Sequence, residues 1–328
     1  MRIAVDAMGG DNAPEEIVKG VLEASEKFPC EIILVGDSNK IKNILEREGK
    51  NNFRIEIRHA EEIISMRDHP ADAVRSKKNS SIVVATEMVK SGECDAVLSA
   101  GSTGAAVAAA QLILKRIHGV GRPAIATPIP TPNGVTLLLD SGANVDSKPE
   151  HLVQVAMMGA FYAEHVLGKK NPKVGLLNIG EEETKGNEQV KETYQLLKDA
   201  PNINFTGNAE GRDIPEGKFD VVVCDGFVGN VVLKFGEGLA LTIFKLIKEE
   251  IAAGGVSAKV GALLLTPTLK NLAKRLDVSE YGGAPLLGVN CYCSISHGSS
   301  DAKSICSALG IAQDSVHSNI LERINTAI

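Results

Sequence analysis

The stretch Leu176-Leu177-Asn178-Ile179-Gly180-Glu181-Glu182-Glu183-Thr184-Lys185-Gly186-Asn187-Glu188 carries the reading that decides the fold. The apolar run Val174 to Leu177 reads as a buried strand, a small polar loop follows, and a helix restarts near Asn187. A loop of this kind gathers backbone N–H groups at a helix N-terminus, where an anion can bind. Here the cation Lys185 stands beside Gly186, a residue that lets a ligand approach the backbone. The segment Asp225-Gly226-Phe227-Val228-Gly229-Asn230 reads as a second such loop, after the strand Val221–Cys224. Two loops of this design on neighbouring strand ends make a polar cleft, the usual ligand position in an open α/β sheet.

Outward from that cleft, the amino-terminal half alternates strand and helix. Strands are predicted at Arg2–Asp6, Glu31–Val35, Phe53–Arg58 and Asp95–Ser99. Helices are predicted at Pro14–Lys27, Ser38–Glu48 with Ser38 as N-cap, and Ser80–Lys90. This rhythm predicts an α/β protein with a mostly parallel sheet between helical layers, a three-layer α/β/α unit. Prolines 123, 128, 130 and 132 forbid a long helix, so a crossover between two lobes of one α/β unit is expected at about 122–134. Beyond it come a strand at Gly134–Asp140, a helix from Pro149 to about Leu167, a helix at Asn187–Lys198 and a short strand at Ile203–Thr206. Two helices divided at Gly254-Gly255 lie between Asn230 and Asp277, and a helix pair at about 240–277 is expected to protrude. Strands at Ala284–Gly288 and Val289–Ser296 and a helix at Ser300–Ala327 close the chain.

Composition excludes several function classes. Aromatics are 4% with no Trp, and the formal net charge is −6, which argues against stacking platforms and general nucleic-acid binding. Met1–Asp6 has no basic region leading into an apolar core, so a cytoplasmic protein is expected. The uncharged run Ala96–Leu114 nearly reaches bilayer length, but Ser99–Gly104 divides it into strand, turn and Ala-rich helix. The cysteines at 30, 94, 224, 291, 293 and 306 follow no disulfide framework, and reduced thiols are expected. Cys291, Cys293 and His297 lack a further pair to complete a tetrahedral metal set, so no metal is expected.

Four further segments are candidates for chemistry. Asp6-Ala7-Met8-Gly9-Gly10-Asp11 either lines the cleft through Asp6, Gly9 and Gly10 or is a tight turn whose Asp11 caps the first helix; taken alone, its residues favour the turn. Arg75-Ser76-Lys77-Lys78-Asn79-Ser80-Ser81 offers Arg75, Lys77 and Lys78 to phosphate or to an acidic protein, or is a solvated run before a helix. Ser99-Ala100-Gly101-Ser102-Thr103-Gly104 is an anion nest of small residues and is neither a Walker loop nor a dinucleotide fingerprint. His297-Gly298-Ser299-Ser300-Asp301 presents a proton donor with two hydroxyls, or a surface histidine before a capped helix. Gly236-Glu237-Gly238 lies inside a helical pattern and is discounted, and no Gly-x-Ser-x-Gly elbow is present. Leu263-Leu264-Leu265, flanked by Lys259, Lys270, Lys274 and Arg275, suits an anionic membrane surface and a dimer interface equally.

In order along the chain stand Asp6–Asp11, Ser99–Gly104, Gly142-Ala-Asn-Val-Asp146, Lys185-Gly-Asn-Glu188, Asp225–Asn230, Tyr281-Gly-Gly-Ala284 and His297–Ser300. This series resembles the bacterial phosphate acyltransferases called PlsX over essentially the whole chain. One departure is Ser102, where the family's loop carries Asn. The resemblance implies a fold similar to isocitrate and isopropylmalate dehydrogenases and to phosphotransacetylase. It implies transfer of a long-chain acyl group from acyl-acyl-carrier protein to inorganic phosphate. The acyl phosphate would serve a membrane glycerol-3-phosphate acyltransferase in phospholipid synthesis. A homodimer and loose peripheral membrane association are implied too.

Phosphate as the nucleophile requires no covalent intermediate, cofactor or metal. It requires an anion held near a thioester carbonyl and donors for the oxyanion that forms. On that chemistry Lys185 neutralises charge, Asn230 donates a hydrogen bond and His297 assists thiolate departure. Asp6, Gly9, Gly10, Ser102, Thr103, Gly104, Gly186, Asn187, Asp225, Gly229, Ser299 and Ser300 line the substrate site. Two other functions share this sequence pattern less well. An NAD-dependent β-decarboxylating dehydrogenase needs an acidic metal cluster and paired arginines. A non-enzymatic membrane scaffold would bind carrier protein through Arg75–Lys78 and Leu263–Leu265.

Overall fold

A computed structural model describes residues 1–49, 54–276 and 281–327. From the amino terminus run β1 (Arg2–Asp6), α1 (Glu15–Lys27), β2 (Glu31–Gly36), α2 (Ser38–Arg47), β3 (Ile55–His59), α3 (Pro70–Ser76), α4 (Ser81–Lys90) and β4 (Ala96–Ser99). Then α5 (Thr103–Ala109) continues as a π-helical turn, Ala110–Leu114, into β5 (Ala124–Ile125), β6 (Thr127–Thr131), β7 (Gly134–Leu139) and α6 (Pro149–His165). After these come β8 (Lys173–Asn178), α7 (Glu188–Asp199), β9 (Asn204–Glu210), α8 (Asp213–Glu216) and β10 (Val221–Val223). The long pair α9 (Gly226–Ala253) and α10 (Val256–Leu276) precedes β11 (Ala284–Leu287), β12 (Tyr292–Ile295), α11 (Ala302–His317) and α12 (Ile320–Ala327).

The parallel α/β pattern is realised as two sheets, where the strand rhythm had suggested one. A seven-stranded sheet has the order β3-β2-β1-β4-β12-β11-β5, and a five-stranded sheet the order β6-β7-β10-β8-β9. Pairing is parallel except where β11 meets β12 and β5 and where β6 meets β7. The chain passes from one sheet to the other at the buried Ala126, between β5 and β6. Pro128 and Pro130 fall in β6 at a sheet edge, where a missing N–H costs no ladder bond.

The first sheet is covered on both faces, as its unbroken apolar strands require. In β2, Ile33 and Val35 join the cluster under α4 and α5, while Ile32 and Leu34 join the opposite cluster with α1 and α11. A third cluster packs β7, β8 and β10 on α6, and a fourth fills their other face around Phe219.

Several local expectations change. Asp37, whose carboxylate accepts the Asn39 and Lys40 amides, caps α2 in place of Ser38. The helix α3 was not anticipated, because its seven residues are too few to show a period. The closing helix is two helices, broken at Asn319, which takes a φ of +52°. Phe53 and Asp277 lie outside the described residues.

The helix pair begins well before residue 240: in α9 only Gly226 and Gly229 are buried. By length and composition α9 could cross a membrane, yet its most apolar window is only 6% buried. Leu263, Leu264 and Leu265 on α10 are 73%, 76% and 55% exposed.

Candidate functional site

The candidate loops all leave the carboxyl ends of strands. In the first sheet Asp6, Ser99 and Ile295 are register partners across β1, β4 and β12, so the three loops that follow start side by side. Glycine lets them interlock. A Cβ on Gly9 would lie 2.4 Å from an Asp6 carboxylate oxygen and 2.8 Å from Gly101 Cα. Gly10 holds a φ of +114° between the carbonyls of Ala100 and Gly298. The Asp11 amide donates to Gly298 O at 2.7 Å, so Asp11 ties the loops together by its backbone and does not cap α1.

Asp6 is 3% exposed at the base of this group. Its carboxylate accepts from Ser99 Oγ at 2.7 Å and from the Met8 amide at 3.2 Å. Ser99 Oγ in turn accepts the Gly101 amide at 3.1 Å. Burial pushes the Asp6 pKa above 3.8, against the pull of hydrogen bonds led by the Ser81 and Ser99 hydroxyls. Beside Asp6 lies a cavity of about 10 Å³, lined by Gly9, Ser81, Ser99, Gly101 and Ser102, the room one water needs. Asp6 therefore orients the loop from below, through Ser99.

Ser102 caps α5: its Oγ accepts the Ala105 amide at 3.4 Å. Asn and Ser are both good N-caps, which accounts for Ser where the resembling family carries Asn. The first intrahelical bond runs from the Ala106 amide to Ser102 O, which leaves the Thr103 and Gly104 amides ahead of it. Thr103 and Gly104 are exposed. His297 is exposed as well; its Nδ1 accepts the Ser299 amide at 3.2 Å and lies 2.8 Å from Ser299 Oγ. An Nδ1 that accepts leaves the proton of a neutral ring on Nε2. Ser300 is nearly buried, and the cap of α11 is Asp301, not either serine.

The second group belongs to β7, β10 and β8, with Leu139, Val223 and Leu176 in register. Its centre is Asp140, a residue the sequence reading passed over. Asp140 accepts five N–H groups: the amides of Ile125, Gly142, Ala143 and Asn144, and the Asn144 side chain. Ile125 belongs to the first sheet, so this one carboxylate fastens the two sheets together. Burial raises its pKa above 3.8, opposed first by the bond from Ala143. Its only advance signal is an acid closing the uncharged run Val135–Leu139.

The segment 225–230 is not a loop but the first turns of α9. Asp225 caps that helix through the Phe227 amide at 2.9 Å and also accepts the Ser147 amide at 2.8 Å. A Cβ on Gly229 would stand 1.9 Å from Asp140 O, so only glycine lets α9 pass the Asp140 turn. Asn230 then lies against Gly142, with its side chain 3.5 Å from the position a Cβ would take there.

In the loop after β8, Gly186 has a φ of +97° under Asn178, whose amide donates to Lys185 O at 3.1 Å. Asn187 spends its Oδ1 capping α7 at 2.9 Å from the Val190 amide, which leaves its NH₂ group as the donor. Lys185 is exposed and, among the described residues, pairs with no acid, whereas Lys198 and Lys218 pair with Glu183 and Glu181.

Asp6, Gly9, Gly10, Ser102 and the 297–300 loop thus form one neighbourhood, and Asn230, Asp225, Gly229 and Gly142 another. Gln189 on α7 bonds to Ser147 O, linking the Lys185 loop to the second neighbourhood. Ala143 packs on the core cluster that contains Ala105 and Ala106, so both neighbourhoods border one core. Among the described residues no hydrogen bond joins Lys185, Asn230, Thr103 and His297 to one another.

The run at Arg75–Lys78 is partly compensated: Lys77 Nζ lies 2.6 Å from Asp68 and Arg75 lies 3.9 Å from Asp72, while Lys78 is exposed and, among the described residues, pairs with no acid. Burial pushes the Cys293 thiol up to about 12 and Cys94 up to about 11, so neither is a nucleophile near neutral pH.

Residues 1–323 match the family model described as fatty acid synthesis protein. A phosphate acyltransferase of Desulfitobacterium hafniense is 60% identical over 325 residues, covering 99% of this chain and 96% of that protein. A phosphate acyltransferase of Pelotomaculum thermopropionicum is 56% identical over 328 residues, covering 100% and 95%. Among solved structures, a phosphotransacetylase from Streptococcus pyogenes superimposes with a TM-score of 0.66 at 17% identity, covering 97% of this chain and 94% of that one. A 4-hydroxythreonine-4-phosphate dehydrogenase from Klebsiella pneumoniae gives 0.51 at 12% identity, covering 96% and 99%. These two likenesses establish the fold that acyltransferases and dehydrogenases share.

Proposed function

The chain belongs to the fatty acid synthesis protein family, whose members at 56–60% identity are phosphate acyltransferases, and from that premise we propose the reaction it performs. A long-chain acyl group passes from the thioester of an acyl carrier protein to inorganic phosphate. A phosphate oxygen attacks the thioester carbonyl carbon, an oxyanion forms, and its collapse breaks the C–S bond. The products are acyl phosphate and carrier thiol, the sulfur taking up one proton. The acyl phosphate supplies a membrane glycerol-3-phosphate acyltransferase in phospholipid synthesis.

One observation supports this reading above the others: the loops after β1, β4 and β12 start side by side and interlock through glycine, and the loop after β8 carries Lys185, which among the described residues pairs with no acid. In our assignment Lys185 neutralises the phosphate, and the Thr103, Gly104 and Gly186 amides with the Asn187 NH₂ group hold phosphate or oxyanion. Asn230 donates to the same charge, and His297 donates an Nε2–H hydrogen bond to the leaving thiolate, whose proton comes by way of solvent from the attacking hydrogen phosphate. Ser299 holds the imidazole in that tautomer. Incubation with acyl carrier thioester and phosphate should yield acyl phosphate, detected as its hydroxamate. Turnover that does not depend on phosphate would sink the assignment.

The helices α9 and α10 are proposed to serve a homodimer and an anionic membrane surface, supported by their exposed apolar residues. Replacing Leu263, Leu264 and Leu265 with Ser should abolish liposome binding and leave the dimer intact. Loss of the dimer would assign these leucines to the subunit interface.

A further inference from the structure

Away from the strand-end loops, the chain leaving α5 is built in an unusual way. The helix ends in a π-helical turn in which the Lys115 amide bonds to Ala110 O, and Lys115 itself takes a φ of +66°. A side-chain-bearing residue held there is strained unless its surroundings fix it. They do: the Asn290 side chain donates to Leu114 O and Arg116 O, its amide donates to Lys115 O, and Ile117 donates to Gly288 O. From the other side Gln154 bonds to Gly119 O and accepts the Gly121 amide. The loop is therefore rigid, and it lines an open depression of about 400 Å³ with Gln111, Lys115, Arg116 and His118.

Between Lys115 and Arg122 the loop carries cations and no acid. Lys115, Arg116, Arg122 and Lys148 are exposed, and among the described residues none pairs with an acid. His151, against Gly121, is held below its ordinary pKa by burial and then by Arg122, Lys148 and Arg116, with Glu150 as the opposing charge. The basic run expected to bind an acidic partner, Arg75–Lys78, has by contrast lost Lys77 to Asp68. On a chain of net charge −6, an acidic protein needs such a local cationic face to approach at all.

The depression is connected to the proposed site. The helical run from Thr103 to Leu114 starts at the Ser102 loop and ends at Lys115, so its 12 residues separate the two by about 18 Å. Along it Ala108 and Leu112 reach solvent, with no charge before Lys115, the residue that caps its end; at Gly104 the side-chain direction is filled by Pro70 of α3.

We infer that the Lys115–Arg122 loop is the docking surface for an acidic carrier protein, whose extended thioester arm lies along Ala108 and Leu112 toward the Ser102 loop. This rests on the reading that the acyl donor is protein-borne. The double variant Lys115→Glu/Arg122→Glu should raise KM for carrier-bound acyl thioester on the order of tenfold or more, with kcat and phosphate KM unchanged. Turnover of the same acyl chain on N-acetylcysteamine should stay at the wild-type level. Added salt should weaken carrier use by the wild type and have less effect on the variant. Equal losses with both donors, or none with the carrier, would overturn the assignment. Loss of phosphatidylglycerol vesicle binding with carrier kinetics intact would reassign the loop to a lipid surface. Direct titration with unacylated carrier protein reads docking even if no acyl phosphate forms. It thereby separates failure of the docking surface from failure of the proposed reaction.

Discussion

Asp6 and Asp140 stand at the carboxyl ends of one strand in each sheet, and both are buried carboxylates pushed above the ordinary value by desolvation. Their partners differ. Asp140 accepts five N–H groups, four of them backbone amides, spread over the turn 142–144 and the neighbouring β5. Asp6 relies mainly on hydroxyls and borders a cavity large enough for one water. Backbone amides cannot rotate away, whereas hydroxyls and a water can rearrange without moving the chain. Asp140 fixes how the sheets meet; Asp6 sets the posture of a loop that has to meet a ligand.

The sharpest way to break this contrast is Asp140→Ala. It strands the buried Ile125 amide and three half-buried ones, at about 1–3 kcal/mol for a fully buried group, and a total on the order of 4 kcal/mol is expected after water enters. The measurement is the urea midpoint, with Asp140→Asn recovering part of the loss because one side-chain oxygen can still accept. A loss under about 1 kcal/mol, the cost of an ordinary surface change, would remove Asp140 as the fastener of the two sheets.

Lys185 lies at the opposite extreme, exposed and unpaired, so Lys185→Ala should leave the midpoint nearly unchanged. Turnover should fall on the order of 10²-fold if its ammonium meets charge developing in the transition state. Unchanged turnover would take the residue out of the mechanism. A matching drop in both stability and turnover would mean that the loop, not the charge, was lost.

Asp6→Asn tests the other side of the comparison. Because Ser99 and Gly101 hang from Asp6, phosphate use should fall by roughly tenfold, about 1.4 kcal/mol, while the fold survives. The sign of the pH effect follows from the raised pKa. Between 3.8 and that raised value the folded protein holds a proton the unfolded chain has lost. Its stabilising contribution is therefore complete below 3.8 and disappears as pH rises through the folded value. Wild-type stability measured relative to Asp6→Asn should decline over that window. A difference independent of pH would mean that Asp6 titrates normally.

Where the sequence carries a period or a capping pattern, the fold can be read from it. β1, β2, β7 and β8 emerge at nearly their observed bounds because continuous apolar runs between turns allow little else. The break between α9 and α10 follows from Gly254-Gly255. Asp140 was invisible as a fastener because its partners are backbone amides, which have no letter in the sequence. For the same reason Asp225–Asn230 resembled a loop: its glycines serve the passage of α9 over Asp140, a tertiary requirement. The division into two sheets was hidden too, since the strand rhythm continues through the crossover and only pairing distinguishes the halves.

The smallest expected effect falls on Ser102. Its bond to the Ala105 amide is long, at 3.4 Å, so Ser102→Ala should cost about 0.5–1 kcal/mol, the low end for a lost N-cap. Ser102→Asn should recover that stability, since asparagine caps at least as well. The pair of variants separates two roles for one hydroxyl. If capping is its whole contribution, turnover and phosphate KM will follow stability and return with Asn. If the hydroxyl also touches phosphate, phosphate KM will stay raised in Ser102→Asn after stability has returned, because the longer amide cannot occupy the hydroxyl's position. Only the second outcome would extend the adaptable half of the molecule from Asp6 through Ser99 to the ligand itself.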